Sequence, residues 1–243
     1  MTLHWLYPAG GEVLSLEQAY DPGDQPSLRA GFVLSIDGAV SIDGTSAGLS
    51  SAADKQVFRA LRAVTDAVLV GAGTARSEDY RTIHPSPTGA LWRAARNLPP
   101  APLVIVTATC ELSPTARCFA PGATRTIVVT CAGADPGLRG ALADVADVLV
   151  LGGASVHLAA MVSALHELGL TRLLCEGGPA LLTDLLSAGL VDEMCLTSAP
   201  VLTGSGAPTL LTRSLETAIR LAPVHLLSGE DGELLGRWRV LPA

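Results

Sequence analysis

The sequence predicts an α/β fold with a central mixed, mostly parallel sheet that is covered by helices on both faces. Short apolar runs, of the length expected for interior strands, alternate with segments of helical spacing along most of the chain. Near the C-terminus, apolar runs follow one another, and the last two are separated by the turn Gly229-Glu230-Asp231-Gly232. Helix-connected strands followed by turn-connected strands indicate a mixed sheet.

Nine segments are predicted to be strands. The first is apolar enough to be central and is broken by the turn pair Asp37-Gly38, whereas most others are the short apolar runs typical of buried parallel strands. In order, the predicted strands are Leu28–Ser35, Ala67–Val70, Leu103–Val106, Thr126–Val129, Val148–Leu151, Leu173–Cys175, Met194–Ser198, Val224–Ser228 and Leu234–Val240. Residues 1–27 are expected to be a loosely structured lead-in, and residues 28–243 a single domain.

Helical spacing and caps predict the connecting helices. Ser50 or Ser51 caps the first, which continues to about Thr65 with an apolar stripe that includes Val57 and Leu61. Further helices are predicted over about Pro136–Ala143 and Ser155–Leu168, and directly after Pro179. The segment from about Ser77 to Pro102 is rich in proline and arginine, so we expect a long surface loop with one helical turn near Ala90–Arg96.

Composition excludes several classes of protein. The chain has 243 residues, 49% hydrophobic and 16% charged, which is enough to bury a large core. A net charge of −7 without any basic stripe argues against nucleic-acid binding, and no apolar run is long enough to cross a membrane. The N-terminal sequence does not resemble a signal peptide, and the five scattered cysteines are typical of reduced thiols. We therefore expect a cytoplasmic protein without a metal site.

The stretch from Leu173 to Leu186 predicts a phosphate-binding site. Its strand ends at Glu176, Gly177 and Gly178 let the backbone turn, and Pro179 suits the first turn of a helix. Free amides and the positive end of the helix dipole would then face the carboxyl end of a sheet strand. An ordinary strand-to-helix turn with glycines for close packing remains the alternative.

Two further turns of this kind follow apolar strands, namely Gly71-Ala72-Gly73 and Gly152-Gly153. In a parallel sheet all three turns lie at one edge, which suits an extended ligand with a pyrophosphate. Residues 71–76 read GxGxxR rather than GxGxxG, and no acidic residue stands at the required spacing. A conventional Rossmann dehydrogenase is therefore disfavoured.

Four motifs resemble the reductase domain of riboflavin biosynthesis. They are Ser35-Ile36-Asp37-Gly38; Gly71-Ala72-Gly73-Thr74 with Glu78-Asp79; Glu176-Gly177-Gly178-Pro179; and Ala199-Pro200-Val201-Leu202-Thr203-Gly204. The resemblance runs from about Leu28 to the C-terminus. It implies a dihydrofolate-reductase-like fold, NADPH as cofactor and a homodimer. The chain lacks the HxE and PCxxC motifs of the deaminase that many members carry, so it resembles a stand-alone reductase.

The resemblance also implies roles for individual residues. Asp37 and Glu176 are the candidate catalytic carboxylates, and Glu176 and Ser46 the candidate substrate contacts. Arg76 is a candidate for the 2′-phosphate of NADPH, although an exposed helical arginine is the commoner case. The cofactor candidates from the resemblance and the glycine turns are Gly71, Gly73, Thr74, Arg76, Glu78, Thr107, Gly152, Gly153, Gly177, Gly178, Pro179, Ala180, Leu181 and Leu182.

Two departures from the family concern substrate binding. Gly31 stands where the family usually has a lysine, and the family's DPxLTxR, whose arginine grips the ribose phosphate, becomes residues 79–85, DYRTIHP. A buried phosphate needs a cation, so Arg81 or His84 is expected to substitute.

The leading hypothesis is an NADPH-dependent reductase of a pyrimidine or pterin-like heterocycle, in the family's case 5-amino-6-(5-phosphoribosylamino)uracil. Two alternatives stay open: reduction of dihydrofolate or another pterin, and a nucleotide-binding protein without catalysis. Asp37 could equally be a simple turn residue, and Glu176 an interior carboxylate held by neighbouring amides.

Overall fold

The computed structural model describes residues 3–8, 15–204 and 206–242. Within these residues the strands form one sheet of ten. The strands are β1 (His4–Tyr7), β2 (Ser27–Ser35), β3 (Ala67–Gly71), β4 (Leu103–Val106), β5 (Ile127–Thr130), β6 (Asp147–Val150), β7 (Arg172–Cys175), β8 (Glu193–Ala199), β9 (Leu221–Ser228) and β10 (Leu234–Val240).

The strand order is β1-β9-β10-β8-β2-β7-β3-β4-β5-β6. All neighbouring pairs from β8 to β6 are parallel, and the pairs that join β1, β9, β10 and β8 are antiparallel. The predicted mixed, mostly parallel sheet is therefore confirmed. Because β7 lies between β2 and β3, residues from the two halves of the parallel sheet meet at its carboxyl end.

Seven α-helices connect or flank the strands of the described chain. They are α1 (Leu16–Ala19), α2 (Ala52–Ala63), α3 (Ala72–Ser77), α4 (Pro87–Ala95), α5 (Pro136–Ala143), α6 (Leu158–Glu167) and α7 (Pro179–Ser187). Ser51 caps α2 as predicted, because its side chain accepts a hydrogen bond from the amide of Asp54. The structure contains no helix long and apolar enough to cross a membrane, as far as its described residues extend.

Separate apolar clusters fill the spaces between the sheet and its helices. One contains Leu69, Leu173 and Leu182 with residues of α6 and α7. Another contains Val68, Val70 and Ile105, whose side chains point to the other face of the same strands. The continuous apolar runs of β3 and β4 are thus buried on both faces, as expected for parallel strands.

Three predictions about local structure were wrong. The lead-in carries β1, which pairs antiparallel with β9, and α1, which ends beside the buried Tyr20; residues 1, 2 and 9–14 lie outside the described chain. The segment 77–102 contains α4, because Arg93 is buried and donates to the carbonyls of Ala63 and Thr65 at the end of α2. The helix after Gly152-Gly153 begins later than predicted, at Leu158, where His157 caps it.

Candidate active site

The turns after β3 and β7 form a single corner. The amide of Gly71 donates to the carbonyl of Gly177 at 2.8 Å, and the amide of Glu176 donates to Leu69 at 2.9 Å. Gly177 has φ = +130°, a conformation that favours glycine, and the Gly177–Gly178 peptide is cis. A Cβ on Gly178 would lie 2.4 Å from Oγ1 of Thr74. The two turns therefore depend on glycine to approach each other, and the predicted meeting of the Gly71 and Gly177 turns is confirmed.

Helix α7 begins at this corner without a side-chain cap. Gly178 is its N-cap residue, and Pro179 occupies the first turn. The amides of Ala180 and Leu181 belong to the first turn of the helix, whose N–H groups have no intrahelical acceptor. The amide of Leu182 donates to the carbonyl of Gly178, and its side chain is fully buried in the core. The anion-binding capacity of this turn therefore resides in residues 180 and 181, whereas Leu182 contributes packing.

A cavity of about 670 Å³ opens beside the corner. Its walls come from β2, α2, the segment after α3 and the Glu176-Gly177-Gly178 turn. The residues that line it are Gly31, Phe32, Val33, Val40, Ser41, Gly44, Ser46, Ser50, Asp54, Lys55, Phe58, Arg59, Arg62, Thr74, Ser77, Glu78, Asp79, Tyr80, Arg81, Thr82, His84, Glu176, Gly177, Gly178, Pro179 and Pro208. A space of this size is typical of a site for a small organic ligand.

Glu176 lies in this wall and is held by two side chains. Nε and Nη2 of Arg62 each lie 2.6 Å from one of its carboxylate oxygens, and the Tyr80 hydroxyl donates to Oε2 at 2.9 Å. The Glu176 side chain is fully buried, whereas that of Arg62 is 33% exposed. The sequence predicted a substrate-contacting carboxylate, or alternatively one held by neighbouring amides; the side-chain partners are an arginine and a phenol.

The charges in this group follow from the contacts. The Glu176 carboxylate raises the pKa of the Arg62 guanidinium, which therefore stays protonated. Burial, and secondarily the Glu176 carboxylate, raise the pKa of the Tyr80 phenol well above its usual value. Tyr80 is consequently uncharged near neutral pH, and its hydroxyl remains the donor in the hydrogen bond to Glu176.

Several exposed basic side chains also line the cavity. Lys55 and Arg59 stand one helical turn apart on the exposed face of α2, and Arg81 and His84 belong to the segment after α3. The described structure places these four near the cavity opening, where a phosphate could be bound. Arg81 and His84 were the sequence-based candidates for this role, while Lys55 and Arg59 were not.

Asp37 lies outside the cavity wall. Its carboxylate accepts hydrogen bonds from the hydroxyl of Ser35 at 2.5 Å, the amide of Gly204 at 2.7 Å, and the amide and hydroxyl of Thr203. The bonds from Ser35, Gly204 and Thr203, in that order of effect, lower the pKa of Asp37, so it stays ionised. This geometry supports the turn-residue alternative: Asp37 ties the segment 199–204 to the end of β2 and has no proton to donate.

The remaining candidates divide by position. Ser46 and Glu78 line the cavity and are linked, because the Ser46 amide donates to Oε1 of Glu78 at 2.7 Å. Thr107 and Arg76 lie elsewhere: Thr107 Oγ1 accepts from the amide of Cys110, and Arg76 Nη1 donates to the carbonyl of Glu111. Gly73 faces open space next to the corner.

The third glycine turn is separate from the other two. Gly152 and Gly153 follow β6, which lies three strands from β3, and they line a second cavity of about 380 Å³ together with His157. A Cβ on Gly152 would lie 2.2 Å from the carbonyl oxygen of Ser155, so this glycine is required by its own loop. Its turn lies at the same sheet edge as the main corner, but the two cavities share none of their lining residues.

Sequence reasoning missed Arg62 and Tyr80. Arg62 looked like an ordinary basic residue in the last turn of a helix, and Tyr80 fell in the segment interpreted as a surface loop. One signal was available: Lys55, Arg59 and Arg62 recur at helical spacing on one face of α2, beside the apolar stripe.

Comparison with known proteins agrees with this fold. The RibD C-terminal domain family matches residues 26–232. Two relatives are named 2,5-diamino-6-ribosylamino-4(3H)-pyrimidinone 5′-phosphate reductase. The one from Archaeoglobus fulgidus is 31% identical over 76% of this chain and 86% of its own length. The one from Methanothermobacter thermautotrophicus is 28% identical over 74% and 80%.

A solved structure shows the same fold. It is described as a pyrimidine reductase-like protein from Corynebacterium diphtheriae, and it matches with a TM-score of 0.85 at 24% identity over 95% of this chain and 100% of that one. The sequence resemblance and the fold class are thereby confirmed. The chain belongs to the RibD C-terminal domain family, the reductase domain family of riboflavin biosynthesis.

Proposed function

We propose that the protein reduces a 6-ribosylaminopyrimidinone 5′-phosphate with NADPH. One observation carries the proposal: the glycine corner at the ends of β3 and β7 opens directly onto the cavity whose wall holds Glu176, Arg62 and Tyr80. A coenzyme seated on the corner would face a substrate in the cavity.

The residues at the corner fit a dinucleotide phosphate. Any side chain on Gly178 would collide with Thr74, so the backbone is kept bare where a pyrophosphate would approach. The first-turn amides of Ala180 and Leu181 supply donors, and the helix dipole supplies a positive field. Thr74 and the Gly177-Gly178 turn would hold NADPH at this corner, and Gly71 keeps the two turns in contact. NADPH supplies hydride when bound.

The cations at the cavity opening fit the substrate's phosphate. Lys55 and Arg59 lie on α2, and Arg81 and His84 lie on the segment after α3; all four line the cavity. A dianion between them would gain charge-assisted hydrogen bonds. We therefore assign the ribose phosphate to this end and the heterocycle to the inner end, near Arg62 and Tyr80.

The protein's own contribution to the reaction is orientation and control of charge. The bidentate pair with Arg62 fixes Glu176 beside the corner. The neutral Tyr80 phenol and the protonated Arg62 guanidinium then determine how the substrate is oriented in the cavity. Asp37 has no part in proton transfer in this proposal, because its lowered pKa and its position outside the cavity wall leave it an ionised structural anchor.

Two forms of the heterocycle are candidates. The motif resemblance favours the uracil form, whereas the two archaeal relatives, most of whose length this chain covers, are named for the 2,5-diamino form. Both share a ring N–H next to a carbonyl. We propose as substrate the class of ribosylaminopyrimidinone phosphates that both forms belong to, and NADPH oxidation with each form separates the two.

Further parts of the proposal concern organisation. A single reductase domain is supported by the continuous sheet, which also includes β1 from the predicted lead-in. A homodimer is supported by two exposed apolar side chains, Ile36 and Leu202, that lie on adjoining segments, since the Ile36 amide donates to Val201. From the sequence we also propose a cytoplasmic location, contact of Arg76 with the adenosine 2′-phosphate of NADPH, and further cofactor contacts at Thr107, Gly152 and Gly153.

The test is oxidation of NADPH, followed by absorbance, with the diamino form, the uracil form and dihydrofolate as substrates. We expect turnover with one or both ribosylaminopyrimidine phosphates and none with dihydrofolate. An Arg59→Ala variant should raise KM for the phosphorylated substrate and change little for its dephosphorylated counterpart. Turnover of dihydrofolate alone, or NADPH binding without turnover of either pyrimidine, would overturn the proposal.

A further inference from the structure

Tyr80 is aimed into the cavity by the way α3 ends. Asp79 has φ = +46°, the left-handed conformation common after a helix, and the Tyr80 amide donates to the carbonyl of Ala75 at 3.0 Å. This six-residue closure is the Schellman arrangement, which reverses the chain direction. Arg117 fixes the turn further, because its Nη1 lies 2.6 Å from Oδ2 of Asp79. The Tyr80 side chain is thus placed by backbone geometry as well as by Glu176.

Glu176 itself is poorly placed to touch a substrate. Its side chain is fully buried, Arg62 occupies both carboxylate oxygens, and the Tyr80 hydroxyl donates to one of them. Its two partners, by contrast, are partly exposed and line the cavity. Any ligand at this end therefore meets Tyr80 and Arg62 before it meets the carboxylate.

The hydrogen-bonding capacity of these two residues is complementary. A phenol has one proton and two lone pairs, and Tyr80 gives its proton to Glu176, so toward a ligand it acts as an acceptor. A guanidinium has five N–H donors and no acceptor, and Glu176 takes two of the five from Arg62. Because both residues donate to the same oxygen of Glu176, acceptor and donor lie side by side.

We propose that Tyr80 and Arg62 bind the lactam edge of the pyrimidinone, with Tyr80 accepting from the ring N–H and Arg62 donating to the adjacent carbonyl. Glu176 is then a positioning residue that acts through them. The inference rests on the proposed function and deepens it by naming the groups that recognise the heterocycle. Tyr80 stands where the family pattern DPxLTxR has proline, so the resemblance does not assign it this role.

The test combines the Tyr80→Phe variant with a substrate analogue methylated at the ring N–H. Phenylalanine keeps the ring and its packing, and lacks only the hydroxyl. We expect Tyr80→Phe to lower kcat/KM for the unmethylated substrate by roughly ten-fold or more, the size of a hydrogen bond left unmade. The NADPH dissociation constant and the melting temperature should change little. Tyr7→Phe, which alters an exposed tyrosine on the edge strand, is the matched control.

The analogue separates recognition from general support of the site. In the wild type, methylation should lower binding strongly, whereas in Tyr80→Phe it should lower binding much less, since the acceptor is already absent. If Tyr80→Phe weakens the binding of the methylated and the unmethylated ligand by the same factor, the inference is overturned while the reductase function stays intact. If the wild type neither binds nor reduces the unmethylated pyrimidinone, the proposed function fails and the inference fails with it.

Discussion

Arg62 and Glu176 form a bidentate ion pair across the cavity wall, with both N···O distances at 2.6 Å. The two residues are 114 positions apart in the chain. The pair therefore joins α2, which also carries Lys55 and Arg59, to the turn after β7, which carries Gly177 and Gly178. The Arg62–Glu176 contact therefore links the proposed substrate and coenzyme regions.

Glu176→Gln should impair the reaction more than coenzyme binding. The amide cannot accept both Arg62 donors, so Arg62 and Tyr80 lose their fixed positions. We expect kcat/KM for the pyrimidinone to fall at least about ten-fold and the free energy of unfolding to fall by about 1–3 kcal/mol. NADPH affinity, measured by fluorescence titration, should stay within about two-fold, a change small beside one hydrogen bond. A large loss of NADPH affinity with normal substrate binding would place Glu176 in the coenzyme site instead.

Gly178→Ala should weaken NADPH binding. The added Cβ would lie 2.4 Å from Oγ1 of Thr74, so one of the two turns must move. We expect the dissociation constant to rise by about ten-fold or more, the effect of overpacking at a close contact. The double variant with Thr74→Ala should lose less than the two single losses together, because the clash is removed.

Gly140→Ala is the matched control for that experiment. Gly140 lies in α5, and nothing stands within 4 Å of the position of its added Cβ. The substitution should leave NADPH affinity unchanged and stabilise the protein by about 0.5–1 kcal/mol through helix propensity. If Gly178→Ala behaves like Gly140→Ala, the corner does not bind the phosphates.

His225 should make the protein less stable in mild acid. Burial, and secondarily the positive charge of Arg237, lower the pKa of His225 from 6.5 to about 4, and its ring packs edge-on against Trp5 and Tyr20. Because the folded pKa lies below the unfolded one, the unfolded chain binds more protons between these values. The contribution of His225 to the free energy of unfolding is therefore complete above pH 6.5. As the pH falls toward 4, the free energy of unfolding decreases by roughly 3 kcal/mol.

Urea denaturation of the wild type and His225→Phe at several pH values measures this effect. Other carboxylates also titrate in acid, so the difference between the two proteins is the informative quantity. We expect that difference to change steadily between pH 6.5 and 4.5 in favour of the variant. A difference that does not vary with pH would mean that His225 is not held neutral by the fold.

Asp37→Asn tests whether Asp37 is catalytic. Because its carboxylate binds Ser35, Thr203 and Gly204 outside the cavity wall, we expect turnover to change by less than about five-fold, little more than the effect of one weakened hydrogen bond. The segment 199–204 should be cleaved faster in limited proteolysis, since its anchor is weakened. A loss of several hundred-fold in kcat with an intact segment would restore the catalytic role that the motif suggested.

Local patterns were sufficient to predict most of the fold. Apolar runs of strand length placed β3, β4 and β7 almost to the residue, since buried parallel strands leave a continuous signature. Helix α5 was also found, because Pro136 and the preceding Asp135 mark its start. Edge strand β1 was not predicted because its partner, β9, lies near the other end of the chain, and the short sequence of β1 does not indicate that pairing.

The candidate site was predictable where it depends on backbone conformation and not where it depends on distant partners. The glycine turns can be recognised in the sequence because Gly177 and Gly152 adopt a positive φ that few other residues adopt, and because Gly178 leaves no space for a Cβ. The partners of Glu176 are set by which strands become neighbours, and Tyr80 reaches it only through the left-handed turn at Asp79. Helical spacing alone could have indicated the basic face of α2.

A crystal structure of the protein with NADP⁺ and the pyrimidinone product tests the central claim most directly. We predict that the coenzyme pyrophosphate lies against Gly177 and Gly178, with the nicotinamide directed into the cavity. The product's ring should lie beside Tyr80 and Arg62, with its phosphate toward Lys55 and Arg59. A coenzyme bound away from the Gly71 and Gly177 turns, or a product outside the cavity between α2 and those turns, would contradict the account.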